Sequence, residues 1–206
     1  TQLADRLRAR FHRTWWDGDS IQYADSLDDP GNRRLQQQHW IGVTPMEVEL
    51  ANGRPLAPTE FAMAALNERE SPCFSGTRPF NLGLFHTGCE GGPEGQGERT
   101  IYSLNTAIKA VADGNYGRRY QRRYTDANAE GLRDEQPGAL PEVLPSPDFG
   151  ETDADDRNID RCWTCRAMFM QAWGHYGTAW PVVHQQLGVR PRLGERARPG
   201  DFAAVV

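Results

Sequence analysis

Three long segments rich in proline, glycine and aspartate interrupt the helical patterns of this chain and constrain its fold most. They span residues 12–43, 71–99 and 131–159. The short turns between neighbouring helical patterns lie near 52–57, 114–117 and 174–177. When long and short connections alternate between antiparallel helices, the long ones gather at one end of the stack. The sequence therefore predicts an all-α domain of stacked antiparallel helical hairpins, with its long loops on one rim.

The spacing of the apolar residues defines the predicted helices. They cover 2–11, 33–40, 44–51, 59–69, 101–113, 116–131, 162–173 and 179–187. Thr44-Pro45-Met46-Glu47 is a capping box with proline in the first turn, which is a specific signal for a helix start. The other predicted N-caps are Asn32, Thr59, Asp160 and Thr178, and the sequences GNYG and GHYG are predicted breaks. No alternation of period two competes with this pattern, so strands are not expected.

The length and charge of the chain exclude several classes of partner. The 206 residues correspond to one domain, or to a piece of a larger one. The formal net charge of −5 offers no basic surface for nucleic acid, and no apolar run approaches the roughly 20 residues that span a bilayer. No secretory signal is visible, although the chain opens without Met, which leaves room for an upstream segment. We therefore expect a cytoplasmic protein that binds neither nucleic acid nor membrane.

The cysteines and glycines give no strong signal for a cofactor. The chain has four cysteines, Cys73, Cys89, Cys162 and Cys165, which are expected to be reduced and mostly buried. A zinc site that includes His86 or His175 is the less favoured alternative. The glycines of the second long segment lack the context of a nucleotide-binding motif, so they are expected to let that loop bend closely over a ligand. No cofactor is predicted.

Several stretches resemble the six-hairpin (α/α)6 toroid glycosidases, the glucoamylases, trehalases and their relatives. WWDGDSIQYADSLDDPGN is similar to the loops that these enzymes turn toward sugar. TDANAEGLRDEQPGALPEVLPSP resembles the loop before their last hairpin, and WGHYGTAWPVVHQQLGV resembles the closing outer helix. The full toroid needs six hairpins, whereas this chain shows three and one lone helix. The resemblance therefore implies the C-terminal half of a larger toroid, completed by a missing half or by a partner.

The resemblance implies that two carboxyl groups cleave a glycosidic bond, with inversion as the expected outcome. Glu135, in a Glu-Gln pair like that of the glucoamylase base, is the first candidate for the base. Glu142 is nearly as good, because Pro141 before it and apolar residues after it would fix and desolvate it. Asp17 follows Trp15 and Trp16, an arrangement similar to the Trp-Asp of trehalase-like enzymes, and is the first candidate for the acid. Asp25, Glu90 and a residue of the missing half are the alternatives.

Aromatic and polar residues of the loops are the predicted contacts to an oligosaccharide. The candidate substrate-binding residues are Trp15, Trp16, Asp25, Trp40, His86 and Glu90. Trp173 and Trp180 are predicted to pack, Trp163 is favoured as a core residue, and His39 is favoured as a residue that satisfies a backbone group. The leading hypothesis is a glycoside hydrolase. The alternatives are a non-catalytic α-toroid module that binds carbohydrate or protein, a metal-dependent helical enzyme, and a cyclase or transferase on the same toroid.

Overall fold

A computed structural model describes residues 2–28, 30–50, 53–75, 83–91, 101–133, 138–144, 172–191 and 202–204. The helices in these ranges are α1 (Gln2–Trp15), α2 (Thr44–Glu47), α3 (Thr59–Glu68), α4 (Ser103–Asn115), α5 (Gln121–Gly131) and α6 (Ala172–Trp180). A 3-10 turn precedes α2 at Trp40–Val43, and a π-helical turn, Pro181–Gln186, follows α6. The helical class is thereby confirmed. Several predictions lie outside the described residues: the part of the predicted 162–173 helix up to residue 171, the Asp160 cap, the core position of Trp163, the reduced state of Cys162 and Cys165, and the catalytic role of Glu135.

Helix α4 is the centre of the fold. All its residues from Ser103 to Asp113 are buried, and it packs against α2, α5 and α6. Its apolar side chains join the main core with Met46 of α2 and Leu66 of α3. The turn between α4 and α5 covers residues 116–120, which overlaps the predicted turn at 114–117 but lies later in the chain. Within it, Gly117 adopts the left-handed conformation with φ of 62°. Glycine takes this conformation without steric cost, so the chain reverses there into a helical hairpin.

The predicted break at 174–177 is wrong, because α6 runs without interruption through this sequence. A Cβ atom on Gly174 would come 2.7 Å from Leu140, and one on Gly177 would overlap Ala107. These glycines therefore let α6 lie directly against α4 and the third loop. The predicted cap, Thr178, lies inside the helix and donates its hydroxyl hydrogen to the carbonyl of His175.

Other predicted helix boundaries also shift. Helix α1 continues to Trp15 instead of ending at 11. Helix α2 stops at Glu47, since the chain folds back on itself and Leu56 donates its N–H to the carbonyl of Val48. Neither Thr44 nor Thr59 caps through its side chain; the N-cap residues are Val43 and Pro58. Pro45 does lie in the first turn, as predicted.

Within the described residues, short strands, which the sequence did not predict, occur as four antiparallel pairs. The strands are β1 (Trp16–Asp17), β2 (Gln22–Tyr23), β3 (Ser26–Asp28), β4 (Arg33–Leu35), β5 (Ile101–Tyr102), β6 (Val143–Leu144), β7 (Val189–Pro191) and β8 (Phe202–Ala204). They pair β1 with β2, β3 with β4, β5 with β6 and β7 with β8. The predicted helix over 33–40 is wrong. Arg33 instead pairs with Asp28 across the β3–β4 turn, and Arg34 donates to carbonyls at the end of α1.

A buried ionic group, here called the Lys109 cluster, ties α4 to the turn after α3. Lys109 is fully buried, and its ammonium lies 2.6 Å from a carboxylate oxygen of Asp113 and 2.6 Å from one of Glu70. Arg118 adds a 2.7 Å contact to Asp113. The charges are mutually satisfied, which is the condition under which ions remain inside a protein.

Cys73 and Cys89 form a disulfide, so the prediction of four reduced thiols is wrong for this pair. Their Cα atoms lie 5.0 Å apart, within the range that a disulfide spans. The bond links the turn after α3 to the second long loop. Within the described ranges, no helix combines the length and apolar character needed to cross a bilayer.

Candidate functional site

The segment from Gln36 to Trp40, in the first long loop, forms the floor of the candidate site, and Asp25 organises it. The Asp25 carboxylate accepts hydrogen bonds from the N–H groups of Gln37, His39 and Gly42, at 2.7, 3.4 and 3.2 Å. It is 7% exposed, and burial raises the pKa of this carboxyl group. The side chain is thus committed to the backbone of its own loop.

Arg69, just after α3, also binds the segment from Gln36 to Trp40. Its guanidinium donates to the carbonyls of Gln38 and His39, at 3.1 and 3.0 Å, and to the side chain of Gln22 at 3.0 Å. Burial lowers the pKa of Arg69 to about 10, so the group remains charged at neutral pH. Gln38 has a φ of 54°, an uncommon conformation for a residue other than glycine. Its fixed geometry depends on these contacts.

The second long loop is attached to this segment through Gln38. The Gln38 carbonyl accepts from the N–H of Gly88 at 3.0 Å, and its side-chain oxygen accepts from the N–H of Glu90 at 3.1 Å. A Cβ atom on Gly88 would overlap Gln38, and one on Gly91 would overlap the carbonyl of Gln37. These glycines therefore permit close approach between two loops, which differs from the predicted approach to a ligand.

Two imidazoles meet where these loops join. The Nε2 atoms of His39 and His86 lie 2.8 Å apart, so one ring donates its hydrogen to the other. Asn105 of α4 fixes the second loop by donating to the carbonyls of Phe85 and His86, at 2.6 and 2.9 Å. The centroid of the His86 ring lies 4.7 Å from that of Tyr102. The pair is thus held between the first loop and strand β5.

The third long loop contributes Glu142, which is rigidly anchored. The Tyr102 hydroxyl donates to Oε1 of Glu142 at 2.9 Å. The Glu142 carbonyl accepts from the N–H and hydroxyl of Ser103, at 3.0 and 3.2 Å. On either side, Ala139–Pro141 and Val143 are buried, whereas Glu142 itself is half-buried. A carboxylate at this position has a fixed orientation and remains in reach of solvent.

One exposed and one half-buried indole lie beside Tyr102 and His39. Trp173 of α6 is 43% exposed, and its ring centroid lies 6.3 Å from that of Tyr102. Trp40 is half-buried and packs against the main core, and its ring centroid lies 5.3 Å from that of His39. Trp173 was predicted to pack, and this is wrong. The interpretation of Trp180 as a packing residue is also wrong, since it is 44% exposed.

The structure thus brings together only some of the predicted site residues. Those that join the contacts described above are Asp25, Trp40, His86, Glu90 and Glu142. Trp15 and Trp16 pack against the main core, and Trp16 lies edge-on to Tyr23 and Phe61. Asp17 accepts a hydrogen bond from Ser20 at 2.9 Å, which stabilises its own turn, and one from Gln36, the first residue of the site floor, at 3.2 Å.

Three residues of the site were not selected from the sequence: Gln38, Arg69 and Tyr102. His39 was expected only to satisfy a backbone group. Tyr102 fell inside a predicted helix, so its hydroxyl was not considered. Each contact joins residues about 30 to 50 positions apart in the chain, and no local pattern encodes them. The Gln-Gln-Gln-His run before Trp40, a polar stretch without an apolar face, was the available signal.

No protein-family model, no curated protein and no solved structure matches this chain. Within the described ranges, no group of three or more His, Cys, Asp or Glu side chains is placed to hold a metal ion. The disulfide also occupies Cys73 and Cys89, two of the thiols that the alternative zinc site would use. The geometry of the Glu142 site itself is therefore the basis for a functional interpretation.

Proposed function

We propose that this chain carries a glycoside hydrolase site in which Glu142 is one of the two carboxyl groups. The observation that supports this most directly is the placement of Glu142. It is anchored at its carbonyl and at its carboxylate, and it lies next to Tyr102 in a stretch of buried residues. Catalytic groups need such fixed geometry, and a solvated loop acid lacks it.

The surroundings of Glu142 suit a sugar. Tyr102, which contacts Glu142, lies beside both His86 and Trp173. Imidazoles can donate and accept hydrogen bonds, as the hydroxyl groups of a sugar do. Aromatic faces offer apolar surface on which the C–H groups of a pyranose ring can lie. The proposed substrate is therefore an oligosaccharide, and the proposed outcome is inversion.

The proposed architecture is part of an (α/α)6 toroid. The α4–α5 hairpin, with α6 against both helices, supports it. Further support is that the first two long loops meet at His39 and His86, and that the third contacts Tyr102, which lies beside His86. In this arrangement a missing half, or a partner, would supply the remaining hairpins. The second carboxyl group would then come from Glu135 or from that other half.

The test is to assay hydrolysis of α- and β-linked oligosaccharides and of aryl glycosides. The anomeric configuration of the released sugar is then determined. Glu142→Gln should lower turnover by about 10²–10⁴-fold and leave binding, measured by calorimetry, within a few-fold. Glu130→Gln is the matched control, because Glu130 is an exposed acid on α5 that pairs only at the surface with Arg133. Equal turnover of the wild type and Glu142→Gln would refute the proposal.

A second candidate function, non-catalytic carbohydrate binding, is favoured by the contacts of the other acids. Asp25 is committed to three backbone N–H groups, and Asp17 stabilises a turn, so neither is placed as a proton donor. In this case Trp173→Ala should weaken sugar binding while no substrate is cleaved. Trp180→Ala is the control, since Trp180 is equally exposed at the other end of α6.

A further inference from the structure

We propose that helix α1 binds the surface of an anionic lipid bilayer. The helix carries four arginines and one aspartate, in a chain whose formal net charge is −5. The expectation that the chain binds no membrane rested on that net charge and on the lack of a spanning segment. A helix that lies on a bilayer needs neither a basic protein nor a spanning length, because a face that is locally basic and apolar is sufficient.

The basic part of this face, here called the arginine ridge, consists of Arg6, Arg10 and Arg13. At about 100° per residue, the three positions fall within about 60° of one another around the helix. All three residues are exposed, and within the described ranges no carboxylate forms an ion pair with any of them. A guanidinium group binds a phosphate through two parallel hydrogen bonds. The ridge therefore presents three phosphate-binding groups in a row.

Two exposed leucines lie beside the arginine ridge. Leu3 and Leu7 are 59% and 56% exposed. They continue the stripe of Phe11, four residues further along the helix, which packs against the main core. Around the helix, the leucines lie between Phe11 and the arginine ridge. The apolar stripe thus runs past the edge of the core, and its uncovered part borders the charges, as it does in helices that lie in a membrane interface.

Contacts on the other faces of α1 fix the direction in which the ridge faces. Arg8 donates from Nε to the Leu56 carbonyl at 2.7 Å, which attaches the helix to the chain before α3. Arg34 donates to the last two carbonyls but one of α1, at 2.7 and 2.9 Å. Because Arg34 is itself exposed, it adds a positive charge at the end of the ridge. The helix is therefore held to the domain while its basic and apolar face points outward.

The shape of this face favours a bilayer over an acidic peptide. Within the described part of the chain, no residue of α1 is buried, so the helix stands out from the domain. A peptide that binds a folded domain gains affinity when its side chains enter a groove or pockets. A bilayer instead meets the arginines and the leucines over one flat area, where phosphates lie above hydrocarbon.

Sedimentation of the full chain with vesicles tests the proposal, at about 0.1 M salt, where charges still act over about 10 Å. Vesicles of phosphatidylcholine and phosphatidylserine are compared with vesicles of phosphatidylcholine alone. Each arginine at the surface should add about fivefold to the partition coefficient, so the anionic vesicles should be preferred by about 100-fold. Arg6→Gln/Arg10→Gln/Arg13→Gln should remove this preference. Equal partition of the wild type into both kinds of vesicle would overturn the proposal without any variant.

The matched control is Arg119→Gln/Arg122→Gln/Arg133→Gln. It removes the same charge from exposed positions on and beside α5, so it changes the net charge of the protein equally. The control should bind anionic vesicles as the wild type does. A loss of binding as large as that of the ridge variant would show that net charge decides the binding, and would overturn α1 as the docking site. Thermal melts confirm that both variants are folded.

Leu3→Ser/Leu7→Ser separates a lipid surface from a soluble acidic partner. The change should lower partition into anionic vesicles by about tenfold, because two apolar side chains no longer enter the interface. Polyaspartate, a soluble anionic polymer, is the probe for the alternative, and it should bind at least tenfold more weakly than the vesicles. If polyaspartate binds as tightly as the vesicles and the leucine variant binds both normally, the partner is an acidic polypeptide and the proposal is overturned.

Discussion

Lys109 offers a direct test of how the buried ionic cluster stabilises the fold. Its ammonium is fully buried between the carboxylates of Asp113 and Glu70, and it lies 4.6 Å from the centroid of the Tyr124 ring. The substitution Lys109→Met keeps the length and most of the volume of the side chain. It removes the charge and both ionic hydrogen bonds, so the packing of α4 is preserved while its electrostatics change.

The loss in unfolding free energy follows from the contacts that the two carboxylates keep after the substitution. Asp113 would keep Arg118, and Glu70 would keep Arg123, but each carboxylate would lose its 2.6 Å partner inside the protein. Removal of one partner from a buried ion pair typically costs about 3–5 kcal/mol. For a domain of this size, the loss corresponds to a decrease in Tm of roughly 6–20 °C.

Thermal and denaturant unfolding of the purified variants would measure this loss. Arg122→Met is the matched control, because Arg122 and Asp126 also lie four residues apart on a helix but are 85% and 63% exposed. Exposed pairs contribute little, so the control should melt close to the wild type. Lys109→Met/Asp113→Asn should cost less than the sum of the two single changes. Equal Tm values for Lys109→Met and Arg122→Met would refute the reasoning.

Three further perturbations probe other parts of the fold. Burial lowers the pKa of His12 in the folded protein. The neutral ring therefore stabilises the fold above pH 6.5, and this stabilisation is lost as the pH falls through the lowered pKa. Between pH 7.5 and 5, the Tm of His12→Gln should therefore fall by less than the Tm of the wild type. Replacing Cys73 and Cys89 by serine should cost about 3 kcal/mol in unfolding free energy, and a reductant should cost the wild type the same; no change would contradict the disulfide. Gly177→Ala should destabilise by about 1–3 kcal/mol, although alanine is the better helix former, and Ala107→Gly in the same chain should recover part of the loss.

Two similar tetrapeptides show how far the sequence could predict the fold. GNYG at 114–117 and GHYG at 174–177 were both predicted to break a helix. The first does, because Gly117 takes a positive φ. The second continues as helix, because Gly174 and Gly177 face α4 at a distance that excludes any larger side chain. Local chemistry is the same in the two cases, so packing against a distant element decides the outcome.

The candidate site shows the same division between local and distant information. Glu142 could be selected from the sequence, because Pro141 and the apolar residues around it indicated a fixed acid. Tyr102 and His39 could not, since their relevance depends on partners about 40 to 50 positions away. Trp16 was selected for a sugar-binding role, and it lies among the side chains of the core. An indole in a loop-like sequence serves equally well as packing, and only the folded chain distinguishes the two.

The first turn of α4 anchors two long loops. Ser103 donates a hydrogen bond to the Glu142 carbonyl of the third loop, and Asn105, two residues later, donates one to the His86 carbonyl of the second loop. A one-residue insertion directly after Asn105 would rotate both anchors by about 100° relative to the rest of α4 and detach both loops together. Extra residues at exposed positions of either loop would leave the anchors in register. Variation in length is therefore expected to accumulate in the loops, while the spacing between these two anchors stays constant.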